Sequence, residues 1–89
     1  MKIEVHSKTS CPFCVKAKEY LKTNEILFDE IVHDDTVDRN NMYDAFGLKD
    51  GERTVPQIVV DGVRLGGYTA LVNSDLVQVY HSGSFDTDF

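Results

Sequence analysis

The sequence lacks most of what would carry it to a membrane, to nucleic acid or outside a cell. It has no tryptophan, two prolines and two cysteines in 89 residues. Two cysteines are too few for the disulfide scaffold of a small secreted domain. Set three positions apart, they close a loop too short to stabilise much through chain entropy. No apolar run approaches the roughly 20 residues that span a bilayer, and there is no basic cluster. Lys and Arg number 9 against 15 Asp and Glu, a net charge of −6. That balance repels phosphate backbones, so neither nucleic acid nor membrane is an expected partner.

What remains is an ordinary globular composition, 42% hydrophobic and 27% charged, at a length suited to one domain. The opening residues MKIEVHSK alternate apolar and polar side chains. They read as a strand and not as a secretory leader. A cytoplasmic location is the expectation, because cysteine pairs there are transient and usually catalytic.

Along the chain, residues 2–6 form the first expected strand, with Ile3 and Val5 on one face. A polar loop, Ser7 to Ser10, leads to Pro12, whose fixed φ suits the first turn of a helix. Cys14, Ala17 and Leu21 recur at helical spacing up to about Thr23, with Tyr20 alongside. Residues 26–32, ILFDEIV, read as a second strand. Asp35 or Thr36 is placed to cap a second helix from about Val37 to Phe46, with Met42, Ala45 and Phe46 inward and Gly47 ending it. Gln57 to Val60 is a short apolar strand. Asp61-Gly62 is a two-residue hairpin signal, because both positions tolerate positive φ. Val63 to Leu65 is the returning strand. A third helix is expected from about Thr69 to Tyr80, its stripe formed by Val72, Leu76, Val79 and Tyr80. The order βαβ, α, β-hairpin, α gives one mixed four-stranded sheet, the first unit closed by a right-handed crossover. Residues 1–82 make the expected domain and residues 83–89 a short, loose acidic tail.

The chemistry concentrates in SKTSCPFCVKAKEYL. Cys11 falls between a strand end and the first turn of a helix. Free N–H groups and the positive end of the helix dipole favour its thiolate there. Cys-X-X-Cys pairs in such settings have thiol pKa values lowered from about 8.5 to roughly 3.5–7.5. The thiolate is the nucleophile of disulfide exchange, and Lys8 adds a positive charge nearby. Cys14 lies one turn further on, facing inward, where a resolving thiol belongs. A lone Cys-X-X-Cys is also compatible with half a zinc site or with chance. A tetrahedral site needs four ligands, and His6, His33 and His81 form no close pair in the sequence, so no metal site is expected. His6, at the strand end, reads first as a solvated histidine, and the run HDD as a helix start. Tyr20 and Tyr80 read as packing residues, and Tyr68 as the lip of a groove.

Three stretches together, CPFC, TVPQIVVDG and GGYT, resemble the dithiol glutaredoxins in order and spacing over about residues 2–80. The resemblance implies an α/β thioredoxin-like fold with sheet order 2-1-3-4 and three helices distributed over both faces. It implies a glutathione-dependent thiol–disulfide oxidoreductase, a monomer with no tightly bound cofactor and no metal, using glutathione as reducing co-substrate. Cys11 takes the nucleophile's place and Cys14 the resolver's. Val55-Pro56 takes the place of a cis bond whose exposed backbone pairs with an incoming cysteinyl substrate, with Thr54 before it. Lys8, Phe13, Gly67, Tyr68 and Thr69 match glutathione-binding positions. Arg39 and Asn40 are candidates on the second helix, and Arg53 is a further cation. Disulfide-containing proteins, ribonucleotide reductase among them, are the implied protein partners.

The sequence departs from the family pattern at Ala70, where many members carry an Asp that pairs with the γ-glutamyl amino group. Asp75 is the candidate replacement. Loss of a charge-assisted hydrogen bond weakens binding by about 1.5–3 kcal/mol when nothing compensates. Ala70 thus supports one alternative, a redoxin reduced by thioredoxin reductase. A separate alternative, which Pro12 disfavours, is an iron–sulfur cluster carrier ligated through Cys11 and glutathione.

Overall fold

The computed structural model describes residues 1–86. Strand β1 (Ile3–Ser7) leads through the cysteine loop into helix α1 (Pro12–Thr23). Strand β2 (Asp29–Val32) and helix α2 (Thr36–Ala45) follow, then a 3-10 turn at Asp50–Glu52. Strands β3 (Gln57–Val60) and β4 (Val63–Gly66) form the hairpin, and helices α3 (Tyr68–Asn73) and α4 (Leu76–Asp86) complete the described chain.

The four strands form one sheet in the order β2-β1-β3-β4, with β1 and β2 parallel and both other pairs antiparallel. This is the α/β thioredoxin-like arrangement. The hairpin turn has φ 50° at Asp61 and 83° at Gly62, the two positive values that Asp-Gly supplies with least strain. Alternation in β1 sends Ile3 and Val5 to one face, where they join Ala17, Leu21, Ile26, Ile58, Leu71 and Leu76 in the main core. Fully burying a side chain such as Leu21 stabilises by roughly 1.5–3 kcal/mol. Glu4 and His6 project to the other face. There Met42 and Tyr43 of α2 and Leu48 beyond it make a smaller cluster, with Phe46 and Val55 against it. Among the described residues no helix is long and apolar enough to cross a membrane.

Several boundaries differ from the sequence pattern, each for a local reason. The second strand begins at Asp29, not residue 26. Glu25 takes φ 58° and the Ile26 amide bonds back to the Leu21 carbonyl, so Ile26 is drawn into the core before strand pairing starts. On α2 the buried side chains are Met42 and Tyr43, while Ala45 is exposed. Asp35 is the cap, accepting from the amides of Val37 and Asp38. The expected third helix is two helices. Ser74 leaves helical geometry at ψ 169°, its hydroxyl donates to the Leu71 carbonyl at 2.7 Å, and its oxygen accepts from the Leu76 amide at 3.3 Å. The break resets the helical phase: Leu71, Leu76, Val77 and Tyr80 face the core, and Val79 is exposed. Helix α4 continues to Asp86, past the 82/83 boundary, and the remainder of the expected tail, residues 87–89, lies outside the described residues.

Candidate active site

Cys11 is the N-cap of α1, and its own sulfur is the capping acceptor. The amide of Cys14 donates to Cys11 Sγ at 3.2 Å. An extended backbone at Cys11 (φ −113°, ψ 105°) and Pro12 in the first turn set this geometry. The orphan amides of a helix start and its dipole favour negative charge on that sulfur. The two cysteines are joined as a disulfide, with Cα atoms 5.2 Å apart, a separation that a bridge spans without backbone movement. Cys11 retains 7% of its accessible surface and Cys14 1%. The outer sulfur is the reachable one, and the inner sulfur is available to the outer.

Across from the pair, Val55-Pro56 is a cis bond, and the Val55 carbonyl oxygen lies 3.7 Å from Cys11 Sγ. Two grooves meet there, sharing Thr54 and Val55 as a common wall. The first, about 540 Å³, lies between the cysteine loop and α2, and holds Lys8, Cys11, Arg39 and Asn40 together with Tyr43 and Arg53. The second, about 390 Å³, runs past Phe13 and Pro56 to Gly67, Tyr68 and Thr69. Lys8, Phe13, Arg39, Asn40, Thr54, Val55, Pro56, Gly67, Tyr68 and Thr69, matched from the sequence to glutathione contacts, therefore each line one groove or the other. Tyr68 lies at the lip, 6.0 Å from the Phe13 ring, and also packs on the main core. Phe13 is 54% exposed, with Lys16 Nζ 5.1 Å above its ring.

The first groove is cationic. The Arg39 guanidinium donates to the His33 carbonyl at 2.9 Å. Arg53 donates to the Leu48 carbonyl at 3.0 Å and to Asp44 at 2.6 Å, and lies 6.0 Å from the Tyr43 ring. Burial pushes the Tyr43 phenol above its ordinary pKa, in spite of the opposing Arg39 and Arg53 charges, so it is a neutral hydroxyl at physiological pH. The sequence reading missed Tyr43, although its place four residues after Arg39 puts the two on one helix face. The groove walls are tied together by Thr9, whose amide and hydroxyl donate to Asp34 at 2.7 and 2.5 Å. Those bonds hold the Asp34 carboxyl below the usual range.

Two expectations fail. Asp75 does not replace the missing acid: it lines a separate cavity with Arg64 and Val79 that shares no residue with either groove. Ala70 instead packs beneath Gly66, where an added Cβ would come within 2.8 Å of Ala70 Cβ. His6 is not solvated. It is part-buried, and its Nδ1 lies 2.8 Å from His33 Nε2, so two histidines 27 positions apart in the chain become neighbours. Nothing in the local sequence pattern signals that pairing. Among the described residues no group of three or more His, Cys, Asp or Glu is arranged to hold a metal ion.

Comparison with known proteins agrees with this geometry. The glutaredoxin family model matches residues 3–65. Glutaredoxin-C4 of Arabidopsis thaliana is 35% identical over 82 residues, covering 92% of this chain and 57% of the relative. Glutaredoxin 1 of Rickettsia felis is 34% identical over 70 residues, covering 78% and 67%. The chain thus spans little more than half the length of the plant relative. The crystal structure of glutaredoxin 1 from Francisella tularensis complexed with cacodylate superposes with a TM-score of 0.75 at 33% identity, covering 90% of this chain and 96% of that one.

Proposed function

The chain belongs to the glutaredoxin family, and on that premise we propose that it is a glutathione-dependent thiol–disulfide oxidoreductase acting through Cys11 and Cys14. The observation that carries this reading is the Cys11 sulfur itself, capped by the Cys14 amide and lining the first groove, which meets the second at Thr54 and Val55.

With a glutathione mixed disulfide, the Cys11 thiolate attacks the glutathione sulfur. A Cys11–glutathione disulfide forms and the substrate leaves as its thiolate. A second glutathione thiolate then attacks the glutathione sulfur of that disulfide, giving oxidised glutathione and regenerating the Cys11 thiolate. With a protein disulfide, Cys11 attacks one substrate sulfur and the other substrate sulfur leaves. Cys14, as its thiolate, attacks Cys11 and releases the second substrate thiolate, leaving the intramolecular disulfide that the structure holds. Two glutathiones reduce it. Effective molarities of well-placed groups reach about 10⁵–10⁸ M, which is what the adjacent Cys14 offers the second step.

Lys8, Arg39 and Asn40 are proposed to receive one glutathione carboxylate, with Arg53 behind them. The Val55 backbone would align the cysteinyl unit, and the chain from Gly67 to Thr69 would take the second carboxylate beside Phe13 and Tyr68. Their convergence on the two grooves around Cys11 supports these roles. The protein is proposed to work in the cytoplasm as a monomer on disulfide-containing proteins, ribonucleotide reductase among them. The direct test is consumption of NADPH in the presence of glutathione, glutathione reductase and a low-molecular-weight disulfide, which Cys11→Ser should abolish. Undiminished turnover in that variant overturns the reading.

One observation favours a second reading. No acid replaces the family's Asp at Ala70, since Asp75 lines a different cavity. A weaker glutathione site is compatible with a redoxin that takes electrons from thioredoxin reductase.

A further inference from the structure

We propose that His33 is a positioning residue for the glutathione groove, and that its pairing with His6 makes this positioning depend on pH. The proposal rests on the reading of Arg39 as a glutathione contact. His33 ties two elements together, β1 and α2. Its amide donates to the Ser7 carbonyl of β1 at 2.8 Å. Its ring Nδ1 lies 2.7 Å from Asp38 Oδ2 in the first turn of α2, and its ring Nε2 lies 2.8 Å from His6 Nδ1. Its carbonyl receives the Arg39 guanidinium at 2.9 Å. The ring is buried, with the residue 7% exposed.

The proton positions follow from these contacts. An ionised carboxylate only accepts, so His33 Nδ1 carries the hydrogen that faces Asp38. In a neutral imidazole the other nitrogen is then an acceptor, so His6 Nδ1 carries the hydrogen between the rings. The neutral pair thus satisfies both close contacts. One additional proton has a place on His6 Nε2, which faces Glu4 Oε1 at 3.7 Å. A second additional proton has none. His33 Nε2 and His6 Nδ1 would both carry hydrogens, pointing at one another across 2.8 Å. The rings must then separate.

The groups facing the pair are Glu4, with Lys2 behind it at 3.6 Å, Asp38 from α2, and Arg39 on the His33 carbonyl. The edge of Phe46 closes the remaining side, 5.5 Å between ring centroids. Burial first, and then His33, hold His6 below its ordinary value of 6.5. The neutral pair therefore persists at pH 6.5 and above, the first proton is taken up on His6 below that and leaves the contact closed, and the pair opens only as pH falls far enough for the second to bind. The α2 face of the sheet has only a small apolar cluster, and it sits at the far end of the helix, at Met42, Tyr43, Phe46 and Leu48. Separation of the rings therefore removes one of the ties between β1 and the start of α2, beside Arg39 and Asn40, and leaves it held by the Thr9–Asp34 and His33–Ser7 bonds.

The test follows the reduced full chain from about pH 7.5 to pH 5. One readout is KM and kcat for a glutathionylated peptide. The other is the ring ¹⁵N resonances of His6 and His33 together with the backbone amides of Asp38, Arg39 and Asn40. The expected result is a KM that rises about tenfold or more, the range of a lost charge-assisted contact. Its midpoint should be shared by the histidine rings and the three amides. His6→Phe preserves an aromatic ring against Phe46 and removes one titrating site, and it should flatten the rise in KM. Amides that stay still while the rings titrate, or a full rise retained in His6→Phe, overturn the proposal. A flat KM in a protein whose Arg39→Ala variant binds more weakly overturns the proposal alone. A flat KM with Arg39→Ala also unaffected overturns the reading of Arg39 beneath it, and the proposal with it. The wild-type resonances decide the matter even if the variant fails to fold.

Discussion

The amide of Cys14 donates to the sulfur of Cys11 at 3.2 Å. This contact gives the second cysteine two separable roles. Its backbone is placed to stabilise charge on the first sulfur, and its side chain is the proposed resolver of the mixed disulfide. Cys14→Ser keeps the backbone and removes the thiol. Reduction of a glutathionylated peptide should therefore persist, while reduction of a protein disulfide should fall by orders of magnitude as the intramolecular attack is lost. Parallel assays of the two substrates check this, and loss of both activities would contradict the assignment.

Lys8 lines the groove beside Cys11 and is exposed. Contacts between exposed charges are worth roughly 0.2–1 kcal/mol, so Lys8→Ala should raise KM for a glutathionylated substrate by up to about fivefold with kcat unchanged. The effect should shrink at high salt, because the charges are screened. A fall in kcat at constant KM would place Lys8 in the chemistry of Cys11 instead.

Gly66 has φ 132°, and a Cβ built there meets Ala70 Cβ at 2.8 Å. Both the backbone and the packing oppose a side chain. Gly66→Ala should destabilise by about 1–3 kcal/mol, which in a domain of this size lowers Tm by roughly 4–8 °C per kcal/mol. Gly62→Ala meets no atom within 4 Å and carries only the cost of its positive φ, so it should be the milder of the two in thermal melts.

Glu30 accepts from Lys18 at 2.7 Å and from the buried Ser7 hydroxyl at 2.7 Å. These bonds, Lys18 first, hold its carboxyl below the usual 4.5. A depressed folded-state value gives stability that is present above 4.5 and lost as pH falls through the lowered value. Melting temperatures measured from about pH 6 to pH 3 should thus fall more steeply for the natural chain than for Glu30→Gln. Parallel curves would show that the pair adds nothing to the fold.

Much of this site is legible in the sequence because it is built from local signals. Pro12 after Cys11 marks a helix start, Asp61-Gly62 marks a hairpin, and the spacing of Cys14, Ala17 and Leu21 marks a buried helix face. Order alone then brings the cysteine loop, Val55-Pro56 and Gly67 to one place. What escapes is set by tertiary contacts. Ile26 has strand character, yet it is claimed by the core before pairing begins. Ser74 is an unremarkable polar residue until its hydroxyl ends one helix and starts the next. Val79 leaves the core because that break shifts the phase. His6 and His33 belong to separate elements, and only the β1–β2 pairing and α2 bring their rings together.

On the proposed function, electrons reach this dithiol from glutathione. The most direct measurement compares NADPH consumption on one disulfide substrate in two coupled systems. One contains glutathione and glutathione reductase, and the other contains thioredoxin reductase without glutathione. Turnover in the first should exceed turnover in the second. Faster turnover with thioredoxin reductase would contradict it.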